Sequence, residues 1–251
     1  MSGRIAALCR HPVKGFTPER LAGVRLETGH FFPCDRLYAV EDGPSGFDPE
    51  APAFVPKTRF AVLAKMAEVA KARSAYDEDS GVLHAEAEGL APFEGHLDQA
   101  EGRDAFAGWL TELLGEAATG PLRVVHAPRH RFTDHPTGYV SVINLESLRD
   151  LEGRIGRPID PLRFRANLYV TGWPPWSELE ADGREVELGG ARARVMKSIV
   201  RCAATTVNPD TAERDLDIPT ALFEAFGHVL CGVYVEVTAS GPVREGGAAI
   251  L

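Results

Sequence analysis

The sequence predicts a mainly β protein with α insertions, in which a smaller β-rich α+β domain over residues 1–120 precedes a mostly β domain over 121–251. Three observations predict this. Short runs rich in β-branched residues, closed by Gly or Pro, recur from "RIAALCRHPV" to "CGVYVEVTASG". Apolar residues at helical spacing are confined to a few short segments. The regular β-α-β alternation of a doubly wound sheet is absent. With 251 residues and 44% hydrophobic content, the chain can bury a sizeable core.

In order along the chain, "RIAALCRHPV" is a strand ended by His-Pro, and "LAGVRLETGHFFPCDRLYAVEDG" reads as strand, turn and strand, punctuated by Gly29 and Gly43. "GPSGFDPEAPAFVP" holds four prolines and two glycines in fourteen residues, the composition of a loop or flap. "TRFAVLAKMAEVAKAR" fits a helix by its alanines and a strand by its alternation, and the pattern does not decide between them. Phe106, Leu110, Leu113 and Leu114 predict a helix ending near Gly115. "PLRVVHAP" is a strand. Leu145, Leu148, Leu151 and Ile155 predict a second helix with Asn144 as N-cap. "RFRANLYVTG", "REVELGG" and "ARARVMKSIVRCAATTV" read as strands, and "PTALFEAFG" as a short helix opened by Pro219.

The formal net charge of −9 argues against a nucleic-acid partner, whose phosphates call for a basic surface. Arg4, Arg10 and Lys14 interrupt the first apolar run, so neither a signal peptide nor a membrane-spanning helix is expected, and a cytoplasmic location without a membrane partner follows. The four cysteines, at 9, 34, 202 and 231, lack C-x-x-C spacing, which predicts free thiols rather than a zinc ribbon or an iron-sulfur cluster. Cys9 and Cys231 lie in apolar runs, but Cys202 sits in the polar "RCAATTVNPDTAERD".

Four clusters combine polar residues with strand ends: "HPVKG", "CDR", "RFRAN" and "RCAATT". A guanidinium holds a phosphate through paired hydrogen bonds and an ammonium acts as a point charge, so together the clusters could cradle an anionic cofactor. A nearby thiolate could ligate a transition metal or carry a sulfane sulfur, and Arg201 would favour its ionised form if its side chain approaches. On spacing alone, scattered surface charges and a buried cysteine are the more ordinary reading.

In this order the clusters resemble the MOSC family, the molybdenum cofactor sulfurase C-terminal domain, together with the β-barrel-like domain that usually precedes it. "HPVKG" and "PCDR" stand where that family has Pro-Val-Lys-Ser and Gly-Asp-Arg. "FRAN", "RCAATTVNPDTA", "CGVYVEV" and "GPVREGG" follow its later motifs, and "RFTDHPTGYVSVINLESL" resembles the segment before its helix. The resemblance spans nearly the whole chain and implies a β-barrel MOSC domain behind the N-terminal one. It also implies a molybdenum-molybdopterin cofactor. Cys202 would be the metal ligand, and Lys14, Arg36 and Arg165 would hold the anionic pterin. Asn167 would support the site through its amide, with Gly15, Asn144 and Arg201 also at the cofactor. Asp210, the one acid near Cys202 in sequence, would handle protons at the metal or close an Asx-turn.

The chain departs from the family's pattern at several positions. Gly15 replaces a serine and loses a hydroxyl donor, Cys34 replaces a glycine, and Ala166 a proline. Asn208 replaces an aspartate, Gly247 stands where the last motif has aspartate, and Ala212 replaces a glycine in a turn that must then avoid positive φ or accept strain. His126, His130 and His135 lie near Asp134 without a firm metal-ligand spacing, and Asp134 reads as ordering its loop beside the cofactor segment. Trp173 and Trp176 read as packing rather than as a substrate pocket, and Glu178 and Glu180 as solvated.

What the resemblance implies for function is a molybdenum-dependent reductase of N-hydroxylated small molecules, supplied by a separate electron-transfer protein because the chain holds no cysteine cluster of its own. Two alternatives stay open: a sulfur carrier using a Cys202 persulfide, and a non-catalytic cofactor-binding protein.

Overall fold

The computed structural model describes residues 1–251. In chain order the strands are β1 (Ser2–Arg10), β2 (Glu19–Leu21), β3 (Gly23–Leu26), β4 (Tyr38–Asp42), β5 (Arg73–Tyr76), β6 (Val82–Glu86), β7 (Phe93–His96), β8 (Leu122–His126), β9 (Val140–Asn144), β10 (Leu168–Thr171), β11 (Glu185–Leu188), β12 (Ala191–Val200), β13 (Leu230–Ala239), β14 (Gly241–Arg244) and β15 (Ala248–Ile250). The α-helices are α1 (Ala100–Leu114), α2 (Leu145–Ile155) and α3 (Ile218–Phe226).

Seven strands close a barrel in the order β10-β9-β13-β12-β11-β15-β1, with β1 returning to β10. All neighbours are antiparallel except β9 and β10, and that parallel pair requires a crossover, which α2 supplies. Along β12, Ala191, Ala193 and Val195 point inward and Arg192 and Arg194 outward, the period-2 alternation that fills a small barrel with side chains. Val142, Val170, Val233, Val235 and Trp173 complete that core. The Trp173 indole donates to Ala249 O at 2.9 Å, and that of Trp176 to Asp150 Oδ2 at 2.7 Å, so both tryptophans are packing residues.

A second core gathers Phe16, Tyr38, Leu83, Phe106 and Leu110 beneath α1, the β5-β6-β7 sheet and the β4-β8 pair. β1 leaves the first half to join the barrel, and β8 returns to pair with β4 from Tyr38↔His126 to Asp42↔Leu122.

The three helices match their sequence signals. Asn144 Oδ1 accepts from Glu146 N and caps α2, Gly115 closes α1, and Pro219 lies in the first turn of α3. The undecided stretch resolves into 3-10 turns over Lys57–Arg59 and Ala67–Lys71 followed by β5, so neither long reading holds. The strand expected over "RFRANLYVTG" begins only at Leu168. Pro161–Phe164 form a 3-10 turn and Arg165 has φ 53°, which no strand accommodates. Glu178 is not solvated: it is fully buried, accepting from Asn144 Nδ2 and Ser147 Oγ. Burial raises its pKa against these hydrogen bonds. No helix is long and apolar enough to cross a membrane.

Candidate functional site

One open cleft of about 450 Å³ lies between an end of the barrel and the loops of the N-terminal half. The barrel side begins where β12 stops. Register shifts between Val195 and Lys197 and between Ser198 and Val200 break the strand's alternation, and such bulges redirect side chains beside functional sites. Cys202 follows on extended backbone as the N-cap of a 3-10 turn over Ala203–Thr206, half-buried in the cleft wall. Thr205 N and Oγ1 both donate to Cys202 O, at 3.0 and 2.9 Å, and Thr206 Oγ1 donates to Ala203 O. The paired threonines of the motif thus fix the turn that presents the thiol.

The loop beyond is tied down by buried Arg163, which donates to Thr206 O and to Asp215 Oδ1 at 3.0 and 2.6 Å. Asn208 Nδ2 donates to Asp215 Oδ2 at 2.9 Å. This gives the Asp-to-Asn departure a physical reason, since an aspartate there would set a second carboxylate against Asp215. Ala212 has φ 59°, so the turn accepts the strain.

Lys14, Gly15, Arg36, Arg165, Asn167, Arg201 and Cys202 all line the cleft. Lys14 Nζ donates to Phe132 O at 2.9 Å and to Asp134, and burial lowers its pKa against the pull of that carboxylate. Asp134 bridges Lys14 and Lys57. Although burial raises its pKa, the two lysines outweigh this and hold it well below the usual carboxylate range. Arg36 pairs with buried Asp35 and donates to Arg165 O at 3.1 Å. Arg165 donates to Phe16 O and has no carboxylate partner; burial, then Arg36, lowers its pKa. Arg36 and Arg165 both hold left-handed φ, at 50° and 53°, a cost tolerated where side-chain direction matters. Asn167 Oδ1 accepts from Ser141 N and Oγ at 3.1 and 2.9 Å, and its Nδ2 donates to Cys9 O.

Four expectations need correction. Asp210 does not reach Cys202: it is exposed, pairs with Arg73 at 3.1 Å and lies outside the cleft, because its backbone closes the Asx-turn on Asn208 and turns the carboxylate outward. Asn144 does not line the cleft either; its amide is spent on the α2 cap, Pro174 O and Glu178. Arg201 is not the cation at the thiol, since its guanidinium donates to Cys231 O and Phe164 O. At Gly15 no hydroxyl is missing. With φ +90° and a would-be Cβ 2.8 Å from Ala61 O and Val62 Cα, this backbone has no room for a side chain.

The cation that does meet the thiol is Lys57, whose Nζ lies 3.2 Å from Cys202 Sγ across 145 positions of sequence. It opens the 3-10 turn that follows the proline-rich stretch, and only its charge next to "FVP" could have marked it. Lys197 and Tyr234, which face each other across β12 and β13, also line the cleft and were not singled out.

The MOSC domain family matches residues 129–249, and the family of the MOSC N-terminal beta barrel domain matches residues 2–117. Human mitochondrial amidoxime-reducing component 1 is 28% identical over 136 residues, covering 46% of this chain and 39% of that protein. Bovine mitochondrial amidoxime reducing component 2 is 27% identical over 119 residues, covering 43% and 35%. The matched region thus spans well under half the length of these curated relatives. The YUAD protein from Bacillus subtilis aligns over 99% of this chain and 94% of its own at 14% identity and a TM-score of 0.46. This chain is a MOSC-domain protein, with a MOSC N-terminal β-barrel domain ahead of its MOSC domain.

Proposed function

We propose that the cleft binds a molybdenum-molybdopterin cofactor through Cys202, and that the loaded protein reduces N-hydroxylated compounds with electrons from a separate redox protein. The observation that carries this reading is a half-buried thiol held by a fixed turn in a cleft lined by seven Lys and Arg side chains and two carboxylates, on a chain whose net charge is −9. The donor set fits such a group. A thiolate is a soft ligand suited to the metal, and Lys14, Arg36 and Arg165 offer charge to a phosphate and a dithiolene. The cleft's volume lies within the usual range for small-molecule sites, roughly 300–1,000 Å³.

When bound, the cofactor supplies a metal that accepts and returns two electrons. The protein's own residues bind and orient. The Thr205 and Thr206 hydrogen bonds hold Cys202 in place, Asn167 pins the start of β10 to β9 and β1, and the loop cations offset the incoming negative charge. The overall reaction, R–NHOH + 2e⁻ + 2H⁺ → R–NH₂ + H₂O, matches in kind the activity named in the amidoxime-reducing relatives.

The test is molybdenum and pterin content per chain in protein made by a host that synthesises the cofactor. The unaltered chain should carry near-stoichiometric metal. Cys202→Ser should lose metal by more than roughly tenfold, because the soft ligand is gone, and lose amidoxime reduction with it. No metal in the unaltered chain would overturn the proposal, and a persulfide on Cys202 after exposure to a cysteine desulfurase would then favour sulfur transfer.

A further inference from the structure

The cofactor assignment leaves two cations of the cleft without a task, Lys57 and Lys197. Lys57 Nζ lies 3.2 Å from Cys202 Sγ. Its nearest carboxylate oxygen is on Asp134 at 3.9 Å, and that carboxylate is already bonded to Lys14. Two ammonium groups thus share one carboxylate, and one positive charge is left over. Lys197 forms no ion pair; its Nζ lies over the Tyr234 ring, 5.9 Å from the centroid. Beside it the rings of Tyr234 and Tyr139 lie 6.1 Å apart, and His135 stacks on Tyr139 at 4.8 Å, so the wall next to the spare cations is aromatic.

Lys57 opens the 3-10 turn over Lys57–Arg59 with its side chain 38% exposed, and Lys197 is exposed near the end of β12. A surplus cation at the thiol and an unpaired one in the same cleft, in a chain with a large negative excess, raise the local concentration of anions and repel cations. The aromatic wall supplies flat contact area for a planar body.

We infer that Lys57 and Lys197 form an anion subsite beside Cys202, so that the protein prefers substrates carrying a carboxylate or similar compact oxyanion on a planar, aromatic body. The substrate class rests on the reductase reading above; the subsite itself does not.

Two measurements separate them. In cofactor-free protein, Cys202 is alkylated with iodoacetate and with iodoacetamide, and each rate is followed at its own peptide by mass spectrometry. The ratio of the two rates cancels the thiolate fraction and reports attraction for the anionic reagent alone. Lys57→Gln should lower that ratio by roughly fivefold and Lys197→Gln by less, as expected for one partly solvated charge at short range. In cofactor-loaded protein with an artificial donor, kcat/KM for 4-carboxybenzamidoxime relative to benzamidoxime should exceed one and should fall by a similar factor in Lys57→Gln.

An unchanged alkylation ratio in both variants overturns the subsite, as does a loaded protein that reduces both amidoximes with no preference for the anionic one. If neither amidoxime is reduced while the alkylation ratio falls as stated, the subsite stands and the reductase reading fails. Loss of molybdenum in Lys57→Gln with an unchanged ratio would make Lys57 part of the cofactor's own site and overturn the inference.

Discussion

The two walls of the cleft hold polar groups by different means. On the barrel wall the backbone satisfies them: Arg201 donates to the carbonyls of Cys231 and Phe164, and Asn167 exchanges hydrogen bonds with Ser141 and Cys9. On the loop wall charge answers charge, Lys14 and Lys57 at Asp134 and Arg36 at Asp35, on backbone that includes left-handed φ at Cys34 and Arg36. Backbone carbonyls do not titrate, whereas carboxylates and the groups buried behind them do. The barrel wall should therefore fail when a partner is removed, and the loop wall when pH changes.

The largest effect should come from His11, buried behind the loop wall. Its ring nitrogens have no hydrogen-bond partner, and Asp35 Oδ1 is 3.5 Å away. Burial, then Arg36 and Arg165, pushes its pKa down to about 3. The unfolded chain binds a proton at this histidine below about pH 6.5 and the folded one does not, so the folded state loses stability as pH falls from 6.5 toward 3. Between pH 7 and 4 this amounts to about 3 kcal/mol. Urea denaturation of His11→Gln across that range should show most of this loss removed, and a slope equal to that of the unaltered chain would refute the assignment. Asp35 adds little there. Arg36 and His11 outweigh its burial and hold its pKa low, so its contribution is lost only as pH drops below about 3.8.

Glu178, buried against α2 and distant from the loop charges, should behave in the opposite sense. Its raised pKa means that the folded state binds the extra proton, so stability falls as pH rises above about 4.5. Glu178→Gln should flatten that decline, and an unaltered decline would show that the carboxyl is not the source.

On the barrel wall, Asn167→Ala removes the acceptor for Ser141 N and Oγ within a buried setting. Leaving a buried N–H unsatisfied should cost about 2 kcal/mol, read as a lower urea midpoint with an unchanged m-value and with no dependence on pH between 5 and 8. A pH-dependent loss would blur the contrast between the walls.

Much of this was legible in the chain. The three helices announced themselves through apolar spacing and end signals, because caps and periodicity are local. Cys202, Lys14, Arg36 and Arg165 stood out in polar clusters near strand ends, and the resemblance to the MOSC family was what drew them into one site. Lys57 was not, because nothing local says that a lysine after a proline-rich stretch will meet a cysteine 145 positions away. Asp210 misled for the complementary reason. It is near Cys202 in sequence, but the Asx-turn on Asn208 sends its side chain to Arg73. Asn144 showed the limit of a correct local reading: the same amide that caps α2 is fully used there and has nothing left for the cleft. Glu178 looked solvated because its flanking prolines and serine suggest surface, and only the packing of α2 against the Trp176 loop buries it.

The smallest effect concerns the turn after Cys202. Ala212 sits at φ 59°, its N–H donating to Asn208 O at 2.9 Å, so the hydrogen-bonded turn imposes a left-handed conformation that alanine adopts at a cost. Glycine removes the Cβ clash but adds freedom to the unfolded chain, and the two terms partly cancel. Ala212→Gly should therefore stabilise the protein by about 0.5–1 kcal/mol, measurable as a small rise in Tm. Because the loop is already anchored by Arg163 and Asn208 on Asp215, the gain should leave the alkylation rate of Cys202 unchanged. A change in that rate would mean that strain at 212 reaches the thiol, and that the barrel wall is less fixed by its backbone than its hydrogen bonds indicate.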